Sequence, residues 1–587
     1  MDADDLLAAL DPEQRAVALA TRGPVCVLAG AGTGKTRAIT HRIAYAVATG
    51  VVNPAHVLAL TFTVRAAGEL RGRLRALGGG AETVRASTFH SAALRQLMYF
   101  WPKAIGGRPP KLVESKHVLV REAARDMRLR PDGAAVADAV TEIEWAKVSQ
   151  THPDAYVSFA LSAGRAPSLG VETVGRLYQA YEQMRRDRQL IDFESVLELT
   201  AAILATEPVF AREVHAAFRF FTVDEFQDVN PLQKLLLDAW LGGRPELCVV
   251  GDPQQTIYSF TGATSVYLRS FAADYPGATV VRLVRDYRST PQVVAAANRL
   301  AAAAADAPAA LVAQRPAGPE PSLTQYPTEE AEAAGAASAV AALRQRGVPP
   351  DQIAILLRIN AHSERFERAL DDAGVPYVVR GGERFYERPE VRQALVLLRG
   401  AARADADGSD ASGLPGALPA AVRHVLAGAG LTARPPAVRG ASRDRWESLA
   451  SIAALADDLS AARPEATLRD FATELAQRAE AGHAPSANAV TLASIHAAKG
   501  LEWDAVLVPG LVEGIMPIVH ARTAETIEEE RRLLYVAVTR AREHLLLSWP
   551  SSRADGSPER ERSRFLAGLV AVSGQRGAAR MTVKGRR

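Results

Sequence analysis

The stretch Val25–Arg37, VCVLAGAGTGKTR, decides the fold of this chain. It begins with an apolar run, Val25 to Leu28, that predicts a buried strand of a parallel sheet. Small residues and glycines follow, and a helix is expected to begin at Lys35 and Thr36. A strand, a glycine-rich turn and a helix N-terminus in this order direct backbone N–H groups at an anion. The stretch therefore predicts a phosphate-binding loop.

The side chains of this loop fit the same chemistry. The ammonium group of Lys35 adds a cation beside the phosphate oxygens, and the hydroxyl of Thr36 is a ligand for Mg²⁺. Ala29 stands where the strict pattern has glycine, a difference of one methyl group. The residues predicted to bind phosphate are Gly30, Ala31, Gly32, Thr33, Gly34, Lys35 and Thr36. A glycine-rich turn that happens to precede a lysine is the alternative.

Two carboxylates at the end of a later strand weaken that alternative. The run Phe218–Glu225, FRFFTVDE, reads as a buried strand that ends in two acids, and Glu246–Asp252 reads as another strand. In a P-loop protein, an acid in the position of Asp224 holds Mg²⁺, and a neighbour such as Glu225 orients and deprotonates the attacking water. A solvated strand end is the other interpretation. The P-loop upstream favours the catalytic one.

Length and composition restrict the class of protein. A chain of 587 residues exceeds one hydrophobic core, so we expect roughly three to five domains or subdomains. No apolar run approaches the ~18 residues that span a bilayer, and the N-terminal MDADDLLAAL lacks the basic segment of a secretion signal, so we expect a cytoplasmic protein. Two cysteines, Cys26 and Cys248, exclude a disulfide framework. Because the net charge is only +3, any nucleic-acid binding surface must come from local clusters of lysine and arginine.

The second half of the chain repeats the α/β pattern without a second glycine-rich lysine loop. Its predicted strands are Ile353–Leu357, Val490–Ser494, Ala505–Val508 and His544–Trp549. A P-loop lobe followed by a lobe of similar size predicts a nucleotide bound in a cleft between them. Arg288 in DYRST and Arg540 in YVAVTRAR are candidates to donate charge, because an arginine aimed at the γ-phosphate stabilises the transition state.

Taken in order, these motifs resemble those of superfamily 1 helicases of the UvrD/Rep/PcrA kind, including the short actinobacterial UvrD-like helicases. The resemblance runs from about Leu10 to Trp549. It rests on the segments LDPEQ, AGAGTGKTR, TFTVRAAGEL, TFHSAALR, VDEFQDVNPLQ, VVGDPQQTIYSFTGA, DYRSTPQVV, GGERFYERPEV, HAAKGLEWDAV and EEERRLLYVAVTRAR. It implies an α/β fold with two RecA-like P-loop NTPase lobes, in which helices flank parallel sheets and each lobe carries a mainly helical insertion.

The resemblance also implies a nucleotide site for ATP and Mg²⁺. It assigns Gln14 and Tyr287 to the adenine and Glu502 to the ribose. The residues that it assigns to phosphate, metal and water are Lys35, Thr36, Arg37, Asp224, Glu225, Gln255, Arg288 and Arg540, with Thr36 and Asp224 as the metal ligands.

For single-stranded DNA, the family uses aromatic platforms, and stacking suits a grip without sequence preference because every base has a π-face. The implied DNA contacts are Phe62, Arg65, Phe89, His90, Tyr258 and Phe260. Ordinary core packing is the alternative for each ring, above all for Phe89. The sequence departs from the family at Val64, where relatives have a polar residue, and at Phe260 and Thr261, where they have Trp–Arg.

The same resemblance divides the chain into lobes. The first lobe (1A) comprises 1–92 and 196–278, with a helical insertion (1B) at 93–195. The second lobe (2A) comprises 279–392 and 488–570, with a short helical insertion (2B) at 393–487. The composition of residues 571–587, basic and without acids, separately predicts a disordered tail. The 2B segment is shorter than in the larger relatives. Fewer duplex contacts are expected from it.

The implied function is an ATP-dependent 3′→5′ DNA helicase and translocase of repair or replication restart. Its expected partners are single-stranded DNA, tailed or forked duplex and a repair or recombination protein; it works as a monomer or as a dimer on DNA, associated with the nucleoid. One rival is a DNA-stimulated ATPase that displaces proteins with little unwinding. Another is a nucleotide-gated DNA clamp, which the full set of catalytic residues argues against.

Overall fold

The structure is a computed structural model that describes residues 2–569 except 132, 305–306, 360–361, 381–388, 405–417, 433–447, 451, 454, 458, 461–462, 482–487, 520 and 555–556. The chain divides into two compact units, Met1–Arg285 and Asp286–Arg587. The predicted tail lies outside the described residues, and so does the polar, glycine-containing run Asp405–Gly416, whose composition predicts a loop. No helix in the described ranges is long and apolar enough to cross a membrane.

The first unit is built on a sheet of six parallel strands. Its strands are β1 (Val25–Ala29), β2 (Val57–Thr61), β3 (Arg85–Thr88), β6 (Phe220–Val223), β7 (Leu247–Gly251) and β8 (Thr279–Leu283), with a separate short pair, β4 (Lys111–Leu112) and β5 (Leu190–Ile191). The order across the sheet is β3–β2–β6–β7–β1–β8. Because all six strands run the same way, the residues that follow them meet at one edge.

Helices cover this sheet and form the insertion. They are α1 (Ala3–Ala8), α2 (Pro12–Leu19), α3 (Lys35–Ala48), α4 (Val64–Leu77), α5 (Phe89–Ala104), α6 (Lys116–Asp126), α7 (Gly133–Val148), α8 (Tyr156–Ser162), α9 (Val171–Asp187), α10 (Phe193–Thr206), α11 (Pro208–Ala217), α12 (Pro231–Leu241), α13 (Val266–Arg269) and α14 (Phe271–Asp274). The insertion has its own apolar core between α6, α7, α8 and α9, which includes Ile143, Tyr156 and Leu177.

The structure shifts two boundaries that the sequence analysis drew. We expected the second lobe to begin at residue 279, but β8 pairs with β1 in the first sheet, with Cys26 opposite Val280. The segment Val84–His90, VRASTFH, also predicts a short strand from its sequence. The strand ends at Thr88, whose hydroxyl caps α5, so Phe89 and His90 lie in the first turn of a helix. A threonine that accepts a hydrogen bond from a backbone N–H of the first turn commonly starts a helix.

The second unit holds another sheet of six parallel strands. Its strands are β11 (Ser322–Tyr326), β12 (Ile353–Leu357), β13 (Tyr377–Arg380), β14 (Val490–Ser494), β15 (Trp503–Val508) and β16 (Ala541–Pro550), in the order β11–β16–β15–β12–β14–β13. Two short strands precede them, β9 (Arg285–Asp286) and β10 (Val312–Ala313). The four strands predicted for this half are confirmed, and two of them are longer than predicted.

The helices of this unit are α15 (Pro291–Ala302), α16 (Glu329–Gln345), α17 (Ser363–Asp372), α18 (Pro389–Ala404), α19 (Leu418–Ala427), α20 (Leu468–Ala481) and α21 (Ala524–Val538). The helices α18, α19 and α20 fall largely in the segment that the sequence assigns to the short insertion. They share an apolar core that includes Leu398, Val422 and Phe471. The sequence also suggests Trp446 as the main aromatic residue in the core of this segment, but it lies outside the described residues.

A buried carboxyl group, that of Glu332, joins α16 to the second sheet. Its Oε1 accepts hydrogen bonds from Ser548 Oγ of β16 at 2.6 Å and from the backbone N–H of Gly510, which follows β15, at 2.9 Å. Burial raises the pKa of Glu332 to about 7, against the opposing effect of these hydrogen bonds and of Arg560. The side chain is therefore protonated over a pH range in which the unfolded chain is ionised.

This proton makes a testable contribution to stability. Between the unfolded and folded pKa values the native state holds a proton that the unfolded state lacks, so the free energy of unfolding falls as pH rises. From about pH 5.5 to about pH 8, the wild type should lose roughly 2 kcal/mol relative to Glu332→Gln, measured by chemical denaturation. The control is Glu330→Gln, at an exposed neighbour, which should follow the wild type. Equal pH dependence in the wild type and Glu332→Gln would contradict the assignment.

Candidate nucleotide site and nucleic-acid contacts

The loop after β1 has the backbone that a phosphate cradle requires. Gly32 and Gly34 both have positive φ, at 71° and 76°, and Gly34 directly precedes α3. A Cβ on Gly34 would lie 2.6 Å from Nε2 of Gln14, so a side chain there would displace the Gln14 amide as well as strain the left-handed backbone. The hydroxyl of Thr33 donates to the carbonyl of Gly30 at 2.9 Å and closes the turn. The free N–H groups at the start of α3 then point out of the loop.

The side chain of Gln14 forms a hydrogen bond with this loop. Asp11 caps α2 by accepting from the backbone N–H groups of Glu13 and Gln14, both at 2.8 Å. This orients the buried Gln14 side chain, whose Nε2 donates to the carbonyl of Thr33 at 3.1 Å. Gln14 therefore links the first helices to the phosphate loop. Arg37, expected to assist at the phosphate, donates to the carbonyl of Ala9 at 2.6 Å and is exposed.

The two acids lie beside the lysine, as the sequence predicts. Asp224 directly follows β6 and is buried, and Glu225 has a left-handed backbone with φ of 53°. Nζ of Lys35 lies 3.8 Å from Oε1 of Glu225. Burial, and next the charge of Glu225, raise the pKa of Asp224 to about 7, while Lys35 opposes the shift. Two carboxylates on one cation leave net negative charge, which a divalent metal ion would balance.

Gln255 lies on the turn that follows β7. Its Nε2 donates to Oδ2 of Asp252 at 2.8 Å, and both side chains are buried. Burial raises the pKa of the Asp252 carboxyl group above its usual range. Because β7 lies between β6 and β1, this turn reaches the same edge as Lys35 and Glu225. The first unit thus gathers the predicted lysine, acids and glutamine at one edge of one sheet.

These residues fit Mg²⁺ bound together with a nucleotide. Magnesium keeps several waters and takes one or two protein oxygens plus phosphate oxygens. A buried Asp224 carboxylate and the half-buried Thr36 at the start of α3 supply those oxygens. Within the described residues there is no group of three or more His, Cys, Asp and Glu side chains that could hold a metal by itself.

In the second unit, Glu502 connects two arginines. It forms ion pairs with Arg288 and, at 2.9 Å, with Arg542. These charges and hydrogen bonds hold the pKa of Glu502 below its usual range, although burial opposes them. Arg288 also donates to the carbonyl of Thr539 at 3.1 Å. Tyr287 is 44% exposed, so its ring is accessible for stacking.

Arg540 is held by its own unit. Its guanidinium group donates to the carbonyls of Val536 and Leu501, at 3.0 and 3.2 Å, and to Thr539 Oγ1 at 3.1 Å. It is 2% exposed, one of the largest fully buried side chains. The arginine that the sequence placed at the γ-phosphate therefore also stabilises the end of α21.

The implied DNA contacts differ in exposure. Arg65 is exposed at the start of α4, while Phe62 and Tyr258 are half-buried. Phe89 is 1% exposed, and its ring stacks on Trp240 at 6.0 Å, so it is a core residue and we drop it from the contacts. His90 packs edge-on against Phe193, and burial lowers its pKa to about 4. The side chain of Phe260 lies outside the described residues.

Sequence reasoning missed two residues that the structure brings to these sites. Gln227 bridges Glu225 and the backbone of Asp252, and Arg542 pairs with Glu502. Gln227 lies in VDEFQD and Arg542 ends TRAR, so both were inside quoted motifs. Neither could be assigned, because sequence spacing does not show which side chains on different strands meet.

A P-loop, a lysine and paired acids on one edge of a parallel sheet define a P-loop nucleoside triphosphatase. The family follows from comparison with known proteins. The UvrD/REP helicase N-terminal domain matches residues 10–276, and the UvrD-like helicase C-terminal domain matches residues 281–409 and 427–552. The chain belongs to the UvrD/REP helicase family. The expectation from the motifs is confirmed.

Three relatives illustrate the similarity. ATP-dependent DNA helicase UvrD2 of Mycobacterium tuberculosis is 50% identical over 585 residues, which cover 97% of this chain and 82% of the relative. UvrD1 of Mycobacterium bovis is 31% identical over 672 residues, covering 96% and 85% of the two chains. PcrA of Bacillus subtilis is 30% identical over 644 residues, covering 96% and 86%.

The geometry predicts different losses for the two charged partners at the phosphate loop. Lys35→Ala should weaken nucleotide binding and lower turnover together, by about 10²-fold or more, because it removes the cation from the cradle. Glu225→Gln should bind ATP but lose hydrolysis, because an amide cannot accept the proton of the water. Nucleotide binding and steady-state phosphate release test both. The control is Lys103→Ala, at an exposed lysine. Near-normal turnover in either site variant would contradict the assignment.

Proposed function

We propose that this helicase moves 3′→5′ along single-stranded DNA and separates duplex ahead of it, in DNA repair or replication restart. The chain is an ATP-dependent DNA helicase of the UvrD/PcrA type. The observation that supports a hydrolysing motor is the Lys35–Glu225 ion pair beside the buried Asp224, at the edge of the first sheet, while the polarity and the repair role follow from the family resemblance. A clamp that only binds nucleotide needs no such water-activating acid.

Hydrolysis proceeds by in-line displacement at the γ-phosphorus. Glu225 accepts a proton as the water oxygen bonds to phosphorus, and the bond to the β–γ bridging oxygen breaks, giving ADP and phosphate. Lys35 and the N-terminus of α3 bind the phosphate oxygens. When bound through Asp224 and Thr36, Mg²⁺ neutralises charge that develops on those oxygens.

Further residues complete the proposed site. Gln14 and Tyr287 take the adenine and Glu502 the ribose, while Gln255, Arg288 and Arg540 act at the γ-phosphate with help from Arg37. Arg288 is the better candidate for a transition-state contact, since it is less buried than Arg540 and shares its charge with the half-exposed Glu502. The ion pair with Glu502 keeps its guanidinium group in place.

The proposed DNA contacts are Phe62, Arg65, His90, Tyr258 and Phe260. Phe62 and Tyr258 follow β2 and β7 at the same edge of the first sheet, and Arg65 supplies an exposed cation. Stacking on aromatic rings is worth about 1–3 kcal/mol per base and tolerates any sequence. The proposed setting is the nucleoid, with a monomer or a dimer on DNA and a repair or recombination partner.

The lobes keep the boundaries given by the family resemblance, except that residues 279–285 join the first lobe.

The second candidate function, a translocase that displaces proteins with little unwinding, is supported by the short insertion. The similarity to UvrD1 of M. bovis extends over 672 residues, more than the 587 of this chain, so that relative carries segments that this chain lacks. We assign part of this difference to the insertion, because the spacing between its flanking motifs is short, and we expect fewer contacts with duplex there.

Unwinding assays separate the two functions and test polarity. A duplex with a 3′ tail should be unwound and one with a 5′ tail should not, while ATP hydrolysis rises with single-stranded DNA in either case. A short insertion also predicts that the binding affinities for tailed duplex and for bare single strand fall similarly with salt concentration, since the protein neutralises few additional phosphates on the duplex. Strand displacement from the 5′ tail would contradict the polarity. Hydrolysis without any unwinding would favour the translocase.

Two phenylalanines provide a matched test of the DNA contacts. Phe62→Ala should weaken single-strand binding by about 1–3 kcal/mol with little base preference. Phe89→Ala should instead destabilise the fold by about 3–5 kcal/mol, because its ring is buried against Trp240. Binding to poly-dT and to a mixed sequence is measured beside thermal unfolding. If Phe62→Ala loses stability while its affinity is unchanged, the ring is a core residue.

A further inference from the structure

Gln227 lies between the acid pair and the turn after β7. Its side chain is completely buried. Its Nε2 donates to Oε2 of Glu225, and its Oε1 accepts the backbone N–H of Asp252 at 3.0 Å. A single side chain therefore connects the carboxylate assigned to water activation with the segment that carries Gln255.

The packing around this amide leaves it little freedom. A Cβ on Gly251 would lie 2.4 Å from Oε1 of Gln227 and 2.8 Å from the side chain of Leu268, so a larger residue at the end of β7 would displace the Gln227 amide. The hydroxyl of Thr256 donates to the carbonyl of Gln227 at 3.5 Å. Since interiors are close-packed, a shift of the turn after β7 displaces the amide with it.

That turn leads to a proposed DNA contact. Asp252 accepts hydrogen bonds from the backbone N–H of Gln254 at 3.0 Å and from the side chain of Gln255, so the turn is internally braced. The chain then passes through the fully buried Ile257 to Tyr258. Five residues, Pro253 to Ile257, separate the base-stacking position from the N–H that Gln227 binds, and the last four of them are buried.

We propose that Gln227 is a positioning residue that sets the place of the Glu225 carboxylate according to the position of the segment 252–258. DNA at Tyr258 then acts on hydrolysis through the Asp252 N–H, the Gln227 amide and Oε2 of Glu225. This inference rests on the proposed function, since it takes Glu225 as the group that activates water. It goes beyond it in naming the side chain that makes hydrolysis respond to DNA.

The chemistry of the amide explains why glutamine is needed. One planar group offers a donor to Glu225 and an acceptor to Asp252. A protonated glutamic acid has the same pattern, with one O–H donor and one carbonyl acceptor. An ionised glutamate keeps only the acceptors and repels Glu225. The requirement can therefore be tested with a substitution whose donor depends on pH.

The experiment measures hydrolysis of Mg·ATP by the full chain with and without poly-dT. Gln227→Met should lower the DNA-stimulated kcat by about 10²-fold, the scale of a misplaced catalytic group, with the KM for ATP and the affinity for poly-dT within about twofold. For Gln227→Glu, kcat relative to the wild type should rise as pH falls, because protonation restores the donor. A purely structural role would not give this pH signature.

Gln233→Met is the matched control. Gln233 is also a buried glutamine, and its side chain accepts the N–H of Asn230 at the start of α12. The same substitution there should cost stability and leave kcat and the stimulation by poly-dT unchanged. This control separates the general effect of losing a buried glutamine hydrogen bond from the specific effect of losing the hydrogen bonds of Gln227.

The outcomes distinguish the inference from the proposed function. If Glu225→Gln is inactive but Gln227→Met hydrolyses ATP like the wild type, the inference is wrong and the function stands. The inference is also wrong if the kcat of Gln227→Glu relative to that of the wild type does not change with pH. If Gln227→Met does not fold, this pH dependence alone tests the inference. A wild type without DNA-stimulated hydrolysis overturns both.

Discussion

The parallel pairing of β1 between β7 and β8 is the constraint on which the nucleotide site depends. Parallel pairing sends the chain out of every strand at one edge, so the glycine loop, the acids after β6 and the turn after β7 emerge side by side. The edge then gathers one cation and several carboxyl groups. Burial, and to a smaller extent the charge of Glu225, keeps the pKa values of Asp224 and Asp252 raised. A site charged in this way favours a divalent cation with a polyphosphate.

At two points of this edge, a neighbouring side chain lies so close to the backbone that glycine is favoured. Gly34 leaves room for Gln14, and Gly251 leaves room for Gln227. In both places a glutamine amide occupies the space where a Cβ would be, and it hydrogen-bonds a neighbouring backbone group. These two amides attach the phosphate loop and the turn after β7 to their surroundings. Neutral hydrogen bonds to the backbone thus hold the phosphate loop and the turn after β7 in place next to the charged groups.

In the second unit, the nucleotide candidates are held by ion pairs and by carbonyls of the same unit. Glu502 joins Arg288 to Arg542, and Arg540 satisfies the carbonyls around the end of α21. Arginine suits both tasks because its planar group carries five donors. Because Arg540 binds these carbonyls, its substitution by alanine should lower the stability of this unit, whatever its role at the nucleotide.

The sequence by itself determined the fold class and the family, and it predicted most of the residues that the structure gathers at the edge of the first sheet, because glycine spacing, strand-end acids and motif order are local properties of the chain. It also identified the four later strands from their apolar runs. Tertiary structure decided what depends on contacts between distant segments: that β8 completes the first sheet, that Phe89 packs on Trp240, and that Gln227 bridges two strand ends. Neither hydropathy nor spacing distinguishes a buried aromatic ring from a stacking platform, since both are apolar residues at the end of a strand. Only the packing of α5 and α12 around Phe89 settles which one it is.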